Sequence, residues 1–450
     1  MAVLNKGPIE IEKRLLLASI LGFLWGSAVG IFFWVGLLNA VEEKIIHLEE
    51  LLPTPPKASQ FILIEIDRIP VDRPWPWPRL EYSLFLRSLI PLTPQSVVMD
   101  ILFTERGPRL DSFDETFRSL INRLNRVCFA GAALKTETLV PQQIFFEKFL
   151  VRGDPRSLPK YGSVFWPSSD LTEGNPVGIN NLGVGTSLKL RSIPLFFQLN
   201  DNLVPSLSLV ASASRMDASI KNSEARLNKA FLLRDSSGQI LRRIPIDAEG
   251  RMQLRFKHSQ SGIIHIKYDD FLLYADQMAR GIKPAFDLHL IHGKQVWLGL
   301  TDPAVVNWVQ TDIGKMSPVE IKMEATRQIV QGDFLRRIPK GASFALLFLL
   351  AILAPRLFVR YSLLKACWLF FMVLAIVLGL AVGGFVFFNL AFPLASLFLL
   401  SLGIILCGLS ARYWKFHVIN LTPPHLEKVQ AVLERIEKKY LHNGPHKPHP

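Results

Sequence analysis

Cysteine is scarce: the 450 residues contain three, and two of them, Cys367 and Cys407, fall inside apolar runs. Cys128 is left alone in the mixed-polarity part, so neither a disulfide framework nor a Cys-rich zinc site can be assembled. Acidic charge is short too, with 38 Asp and Glu against 51 Lys and Arg. In a soluble protein the net charge of +13 would suggest phosphate neutralisation. Beside membrane spans, however, Lys and Arg fix orientation, and no nucleic-acid partner is needed to explain them. Catalytic signatures are missing as well. There is no GxSxG or HExxH motif, and GVGTSL from Gly183 lacks the third glycine of a dinucleotide fingerprint and the Lys-Ser or Lys-Thr pair of a P-loop. The ten histidines are scattered except for His442, His446 and His449 in a Pro-rich terminal segment, which reads as a low-complexity tail and not a metal site. The expectation is a non-enzyme without metal or cofactor.

Charge is also absent from long stretches, and these define the architecture. Leu15 to Val41 carries none, is long enough to cross about 30 Å of hydrocarbon, and follows Lys6, Lys13 and Arg14. It is too long for a cleaved signal peptide and reads as a retained anchor after a cytoplasmic N-terminus, residues 1–14. Residues 42–340 contain no stretch able to span. Gly341 to Val359 forms a second span, closed by the short basic loop of Arg356, Arg360 and Lys365. Ala366 to Ala411 is again uncharged, and a single helix of that length would reach roughly 69 Å, about twice a bilayer core. It must fold back, with Gly383, Gly384, Asn389 and Pro393 as the residues able to break it, so spans are placed at 363–382 and 388–410. Four crossings from an inside N-terminus put residues 42–340 outside a bacterial-type inner membrane, with both termini, the Arg356, Arg360 and Lys365 loop, and Arg412 and Lys415 inside. Gly22, Gly26 and Gly30 recur along one face of the first span, where another helix can approach closely.

The large segment alternates strand and helix patterns. FILIEI from Phe61 reads as a strand ending at Asp67, and Arg79 to Ile90 as a helix stopped by Pro91. Val97 to Leu102 is a second strand, Phe113 to Leu124 an amphipathic helix, and Val127 to Ala130 a third strand. This order predicts an α/β domain with a largely parallel or mixed sheet. Val204 to Ala213 reads as a buried helix, Val151 to Asn181 as an irregular excursion, Gln295 to Leu300 as a late strand, and Val319 to Val330 as a helix. In the tail, residues 411–450, Leu426, Val429, Leu433, Ile436 and Tyr440 recur three and four apart, giving a short amphipathic helix over 424–441. It can pair with itself or a cytoplasmic partner, lie on the anionic leaflet, or be the stub of an output linker.

Asp67 follows its strand, WPWPR covers Trp75 to Arg79, and DILF covers Asp100 to Phe103. Then come Arg191, Ile193 and Pro194, VPSLSL from Val204, IPIDAEG from Ile244, LGLTD from Leu298, and VEI from Val319. In order and motif these resemble the type-2 CHASE domain, an extracytoplasmic sensor module found with cyclases and histidine kinases. One span before the domain and three after it also match. Two positions depart from the pattern: Pro318 stands where Gly is usual and Lys322 where His is usual. The family normally continues into a cytoplasmic cyclase, kinase or phosphatase, for which residues 411–450 are too few to bury a core.

The candidate ligand site follows from position. Asp67 and Asp100 are expected at the carboxyl ends of two strands of one parallel sheet, where open α/β sheets bind ligands, with Glu105 and Asp111 nearby as further acidic groups. Each Asp can equally cap the turn that follows it. Trp75 and Trp77 on a Pro-rich segment can make an aromatic platform with Arg79, or simply pack into the core. The leading expectation is a membrane-anchored sensor of an unknown extracytoplasmic ligand or protein that relays to a separate cytoplasmic partner, with a homodimer as one possible form. The alternative is a structural or assembly subunit docking another protein through its outer domain.

Overall fold

The computed structural model describes residues 8–38, 41–42, 44–45, 60–73, 75–103, 114–124, 126–135, 149–168, 171, 174–183, 189–199, 202–256, 262–338, 340–388 and 390–414. The chain divides into two compact units, one formed by Met1–Leu38, Lys340–Ala375 and Ala395–Pro450, the other by Asn39–Pro339 and Ile376–Leu394.

Four helices are long and apolar enough to cross a membrane, one before the domain and three after it, and their ends differ from the expected ones for local reasons. The first helix covers Pro8–Val35, not 15–41. It stops because Gly36 takes a φ of 85° and turns its amide back onto the Phe32 and Phe33 carbonyls, a left-handed termination open to glycine without steric cost. The second span is broken at Pro355 into Lys340–Leu353 and Pro355–Arg360. The third runs unbroken through Gly383 and Gly384 to Phe388, past the expected end at Val382. The fourth begins at Leu394 instead of Phe388. Glycine alone does not break an apolar helix whose backbone groups are satisfied internally, whereas Pro393 bars Phe392 from helical geometry.

In the helical unit the glycine face of the first span packs on the second. A Cβ at Gly26 would lie 2.6 Å from the Ala351 Cβ, and one at Gly30 would strike the Phe344 ring. Trp25 Nε1 donates to the Leu399 carbonyl at 3.3 Å. Basic residues gather at one end: Arg14 donates to the Arg412 carbonyl. Arg412 Nη1 donates to the carbonyls of Phe358 and Tyr361, both at 2.7 Å, and Arg356 Nε donates to Ser19 Oγ at 2.6 Å.

The other unit is built on a seven-stranded sheet. Its strands are β1 (Phe61–Ile66), β2 (Ser96–Leu102), β3 (Val127–Leu134), β4 (Ser163–Phe165), β5 (Val177–Ile179), β6 (Ile263–Lys267) and β7 (Gln295–Leu300). The order is β6-β1-β7-β2-β3-β4, with β5 also pairing β3. All neighbours are parallel except β3 and β4. The strand-helix-strand expectation therefore holds for β1, β2 and β3, but β7 is inserted between the first two. The segment expected to be an irregular excursion supplies β4 and β5. Where a helix was expected from Val204, Asn202–Pro205 is a strand, and the helix starts only after Ser206, whose side chain accepts from the Leu209 amide.

Helices cover both faces of the sheet, which explains why its strands are nearly all apolar. On one face α1 (Arg79–Leu89), α2 (Asp114–Ile121) and α4 (Tyr268–Ala279) bury Phe85, Leu86, Phe117 and Phe271 against Ile62, Ile64, Val97 and Met99. On the other, α3 (Leu207–Met216) and α5 (Pro318–Gln331) bury Leu209, Val210, Val319 and Met323 against Phe61, Leu63, Val98 and Trp297. A second sheet, mostly antiparallel, joins Ile240–Pro245, Ala230–Asp235, Ala218–Arg226 and Leu150–Arg152 in that order. Beyond α5, Arg336–Arg337 pairs in parallel with Leu390–Ala391, the turn between the third and fourth spans.

Candidate functional site

The carboxyl edge of the sheet, on the α5 face, gathers charge. Glu65 of β1, Gly299 of β7 and Asp100 of β2 stand side by side in register. Parallel register sends their side chains to one face. Gly299 is what lets α5 close on that face, because a Cβ there would lie 2.5 Å from Val319 Cγ2. The start of α5 is fixed by a capping box: Ser317 Oγ accepts from the Glu320 amide, and the Glu320 carboxylate accepts from the Ser317 amide at 2.7 Å, with Pro318 at the first helical position. So placed, Lys322 Nζ meets Asp100 Oδ2 at 2.5 Å, with both side chains buried. Asn180 Nδ2 donates to the other Asp100 oxygen at 3.4 Å. Lys322, one of the two departures from the family pattern, is thus the direct partner of the Asp in the DILF motif.

Asp67 lies elsewhere on this edge. It follows β1 and pairs with Lys267 Nζ at 2.9 Å, half-exposed, with β7 running between its strand and that of Asp100. Each of the two carboxylates expected to share an acidic site thus has its own lysine. Glu105 and Asp111 lie outside the described residues, as do Leu426, Val429, Leu433, Ile436 and Tyr440 of the tail. Asp302 of the LGLTD motif is structural: its Oδ2 accepts from the Ile69 amide at 2.9 Å and its Oδ1 from the Ala304 amide at 2.8 Å.

The residues of the expected aromatic platform pack against the domain. Trp77 is buried, donates through Nε1 to the Arg73 carbonyl at 3.0 Å, and sits 5.0 Å from the Tyr268 ring. Trp75, partly buried, leans on Trp77 at 5.8 Å. Arg79 lies 4.7 Å over Phe103 and 5.4 Å over Phe117 while its Nε meets Asp114 Oδ1 at 3.1 Å. Burial pushes the Tyr82 and Tyr268 hydroxyls far above their ordinary range, so both stay protonated.

Sequence reasoning did not single out His265, whose Nδ1 is bonded to the Glu65 carboxylate across the β6–β1 pair. That hydrogen bond outweighs desolvation and raises the imidazole pKa, with the Glu65 and Glu320 charges adding to it. A raised folded-state pKa stabilises the fold below the unfolded value of about 6.5, and the contribution is lost as pH rises through the folded value. The thermal midpoint of His265→Gln relative to wild type should therefore fall further behind at pH 6 than at pH 8. An equal gap at both pH values would remove the imidazolium from this account.

A second buried cluster lies along α5. Arg327 makes a two-point contact with Glu324, Nε to Oε2 at 2.8 Å and Nη2 to Oε1 at 2.6 Å, and reaches Asp333 Oδ2 at 3.5 Å. Gln328 Nε2 donates to Glu324 Oε1 at 2.8 Å and to the Arg255 carbonyl at 2.7 Å. Arg255 pairs with Asp333 at 3.7 Å and lies 4.6 Å over the ring of Phe385, near the end of the third span. Among the described residues no group of His, Cys, Asp and Glu could hold a metal ion.

These observations define an α/β domain covered on both faces, carried by a chain with four membrane-length helices. The chain belongs to the CHASE2 domain family: the family model, described as CHASE2 domain, matches residues 21–355. CHASE2 is a sensory, non-catalytic domain, and the protein is accordingly a multi-pass membrane protein of sensor type. Neither the curated proteins nor the solved structures contain a match.

Proposed function

We propose that this protein is an extracytoplasmic sensor of a bacterial-type inner membrane that relays to a separate cytoplasmic partner, with its domain outside and both termini inside. The observation that carries the reading is the path of α5. Its second turn carries Lys322, paired with Asp100 on the carboxyl edge of the sheet, and it ends at Gln331, two residues before Asp333. The chain then pairs, through Arg336–Arg337, with the turn between the third and fourth spans. A change at the sheet edge thereby has a packed route to the turn between the third and fourth spans. The orientation is supported by the gathering of Arg14, Arg356 and Arg412 at one end of the bundle, which favours the cytoplasmic side. The cytoplasmic partner is assigned to the amphipathic pattern of Leu426, Val429, Leu433, Ile436 and Tyr440, which needs a surface to bury against.

Ser236→Cys tests the placement, since Ser236 is exposed while Cys128 is buried with its thiol pushed up to about 12 by burial. With Cys367 and Cys407 replaced by alanine, a membrane-impermeant maleimide should label Ser236→Cys in intact spheroplasts. Labelling only after lysis would reverse the orientation. Deletion of residues 422–450 should abolish copurification of the cytoplasmic partner, and unchanged copurification of every partner would reject relay through the tail.

A further inference from the structure

A pocket of about 340 Å³ opens in the domain between the paired strands Ser192–Pro194 and Arg251–Gln253, the Pro245–Asp247 segment, and Phe334–Leu335. Two segments that carry the family resemblance meet here: Arg191 to Pro194, and the IPIDAEG turn from Ile244. The lining includes the apolar side chains of Ile246, Met252, Phe334 and Leu335; its charged groups are two guanidinium groups against the single carboxylate of Asp247.

The two arginines differ. Arg191 is paired with Asp312 at 3.2 and 3.3 Å. Arg251 is held at three points, Nε to Ser192 Oγ at 3.0 Å, Nη1 to the Gly183 carbonyl at 3.0 Å and Nη2 to the Ser192 carbonyl at 2.8 Å. Every one of these acceptors is a neutral oxygen. They orient the guanidinium without cancelling its charge, and they use three of the five N–H donors that an arginine has. Asp247 is occupied locally, its Oδ1 accepting from the amides of Glu249 and Arg251 at 2.9 and 2.8 Å. A rigid cation together with apolar lining side chains suits one chemistry: a carboxylate or phosphate head on an alkyl or aryl body.

We propose that this pocket binds an amphipathic anion, with the head on Arg251 and the apolar part against Ile246, Met252, Phe334 and Leu335. As an input site it deepens the sensor reading, on which its signalling consequence rests; binding itself does not depend on that reading. Its occupant touches Phe334 and Leu335, immediately before the strand that pairs with the turn between the last two spans.

The test uses the full chain in nanodiscs of zwitterionic lipid, with octyl phosphate and inorganic phosphate as probes and thermal midpoint as the readout. Octyl phosphate should raise the midpoint saturably, and inorganic phosphate at the same concentration should raise it less. Gln253 is exposed on the pocket rim, so its replacement leaves the core untouched. Gln253→Glu should weaken the apparent affinity roughly five-fold, and Gln253→Arg should strengthen it by a similar factor. A non-saturating shift, or one identical in both variants and the parent, overturns the proposal. Loss of the octyl phosphate shift in nanodiscs containing anionic lipid identifies a lipid as the natural source. Its persistence there identifies a soluble anion. Failure of the tail-deletion experiment above would leave this binding intact, so the two readings fail separately.

Discussion

Replacing Glu324 by leucine is expected to lower the thermal midpoint of the full chain by about 10 °C, a loss of about 3–5 kcal/mol. Glu324 accepts two hydrogen bonds from Arg327 and one from Gln328, all within 2.8 Å, and every one of these side chains is buried. Desolvation alone would lower the Arg327 pKa; the Glu324 and Asp333 charges outweigh it, and the pKa is raised. Without Glu324 the guanidinium keeps only the longer contact to Asp333 and the bond to Gln331. The loss would fall mainly on the stranded charge and not on the pair itself, since a buried ion pair contributes little beyond an apolar one of equal volume. The double variant Glu324→Leu with Arg327→Met should therefore recover more than half of the deficit. A double variant as unstable as the sum of the singles would mean no coupling between the two side chains and would overturn the account based on the stranded cation.

Lys322→Met is expected to be nearly as damaging, again by about 3–5 kcal/mol at neutral pH, because it strands the buried Asp100 carboxylate with Asn180 as its remaining side-chain partner among the described residues. Here a second variant separates causes. Lys322→Met with Asp100→Asn removes the stranded carboxylate as well and should show less than half the deficit of the single variant in thermal midpoint at pH 7. A double variant as unstable as Lys322→Met alone would mean that lost packing of the lysine stem, not the carboxylate, carries the cost.

Much of the scaffold was legible because it is written locally. FILIEI, VVMDIL and the late QVWLGL segment are short apolar runs that only a doubly covered parallel strand accommodates, and all three join one sheet. Charge-free runs gave the number of membrane-length helices, while their ends depended on single residues, Gly36 and Pro393, whose geometry overrides composition. The order of strands was not legible. Nothing local tells that β7, far along the chain, separates β1 from β2 and so sets the strands of Asp67 and Asp100 apart. The partners of these carboxylates were equally hidden, since Lys267 and Lys322 are brought in by long-range pairing and by the phase of α5. One signal was available: Ser317 three residues before Glu320 marks a capping box, and it fixes the turn of helix on which Lys322 sits.

Both ends of α5 are pinned, the first by that capping box and the last by Gly332, whose left-handed backbone lets the Gly332 and Asp333 amides close on Ile329 and Gln328. Fourteen residues so terminated make a strut of about 21 Å that can neither unwind a turn nor gain one at low cost. Pulling or tilting it at Asp100 would therefore arrive undiminished at Asp333, as movement of a solid bar and not as local melting.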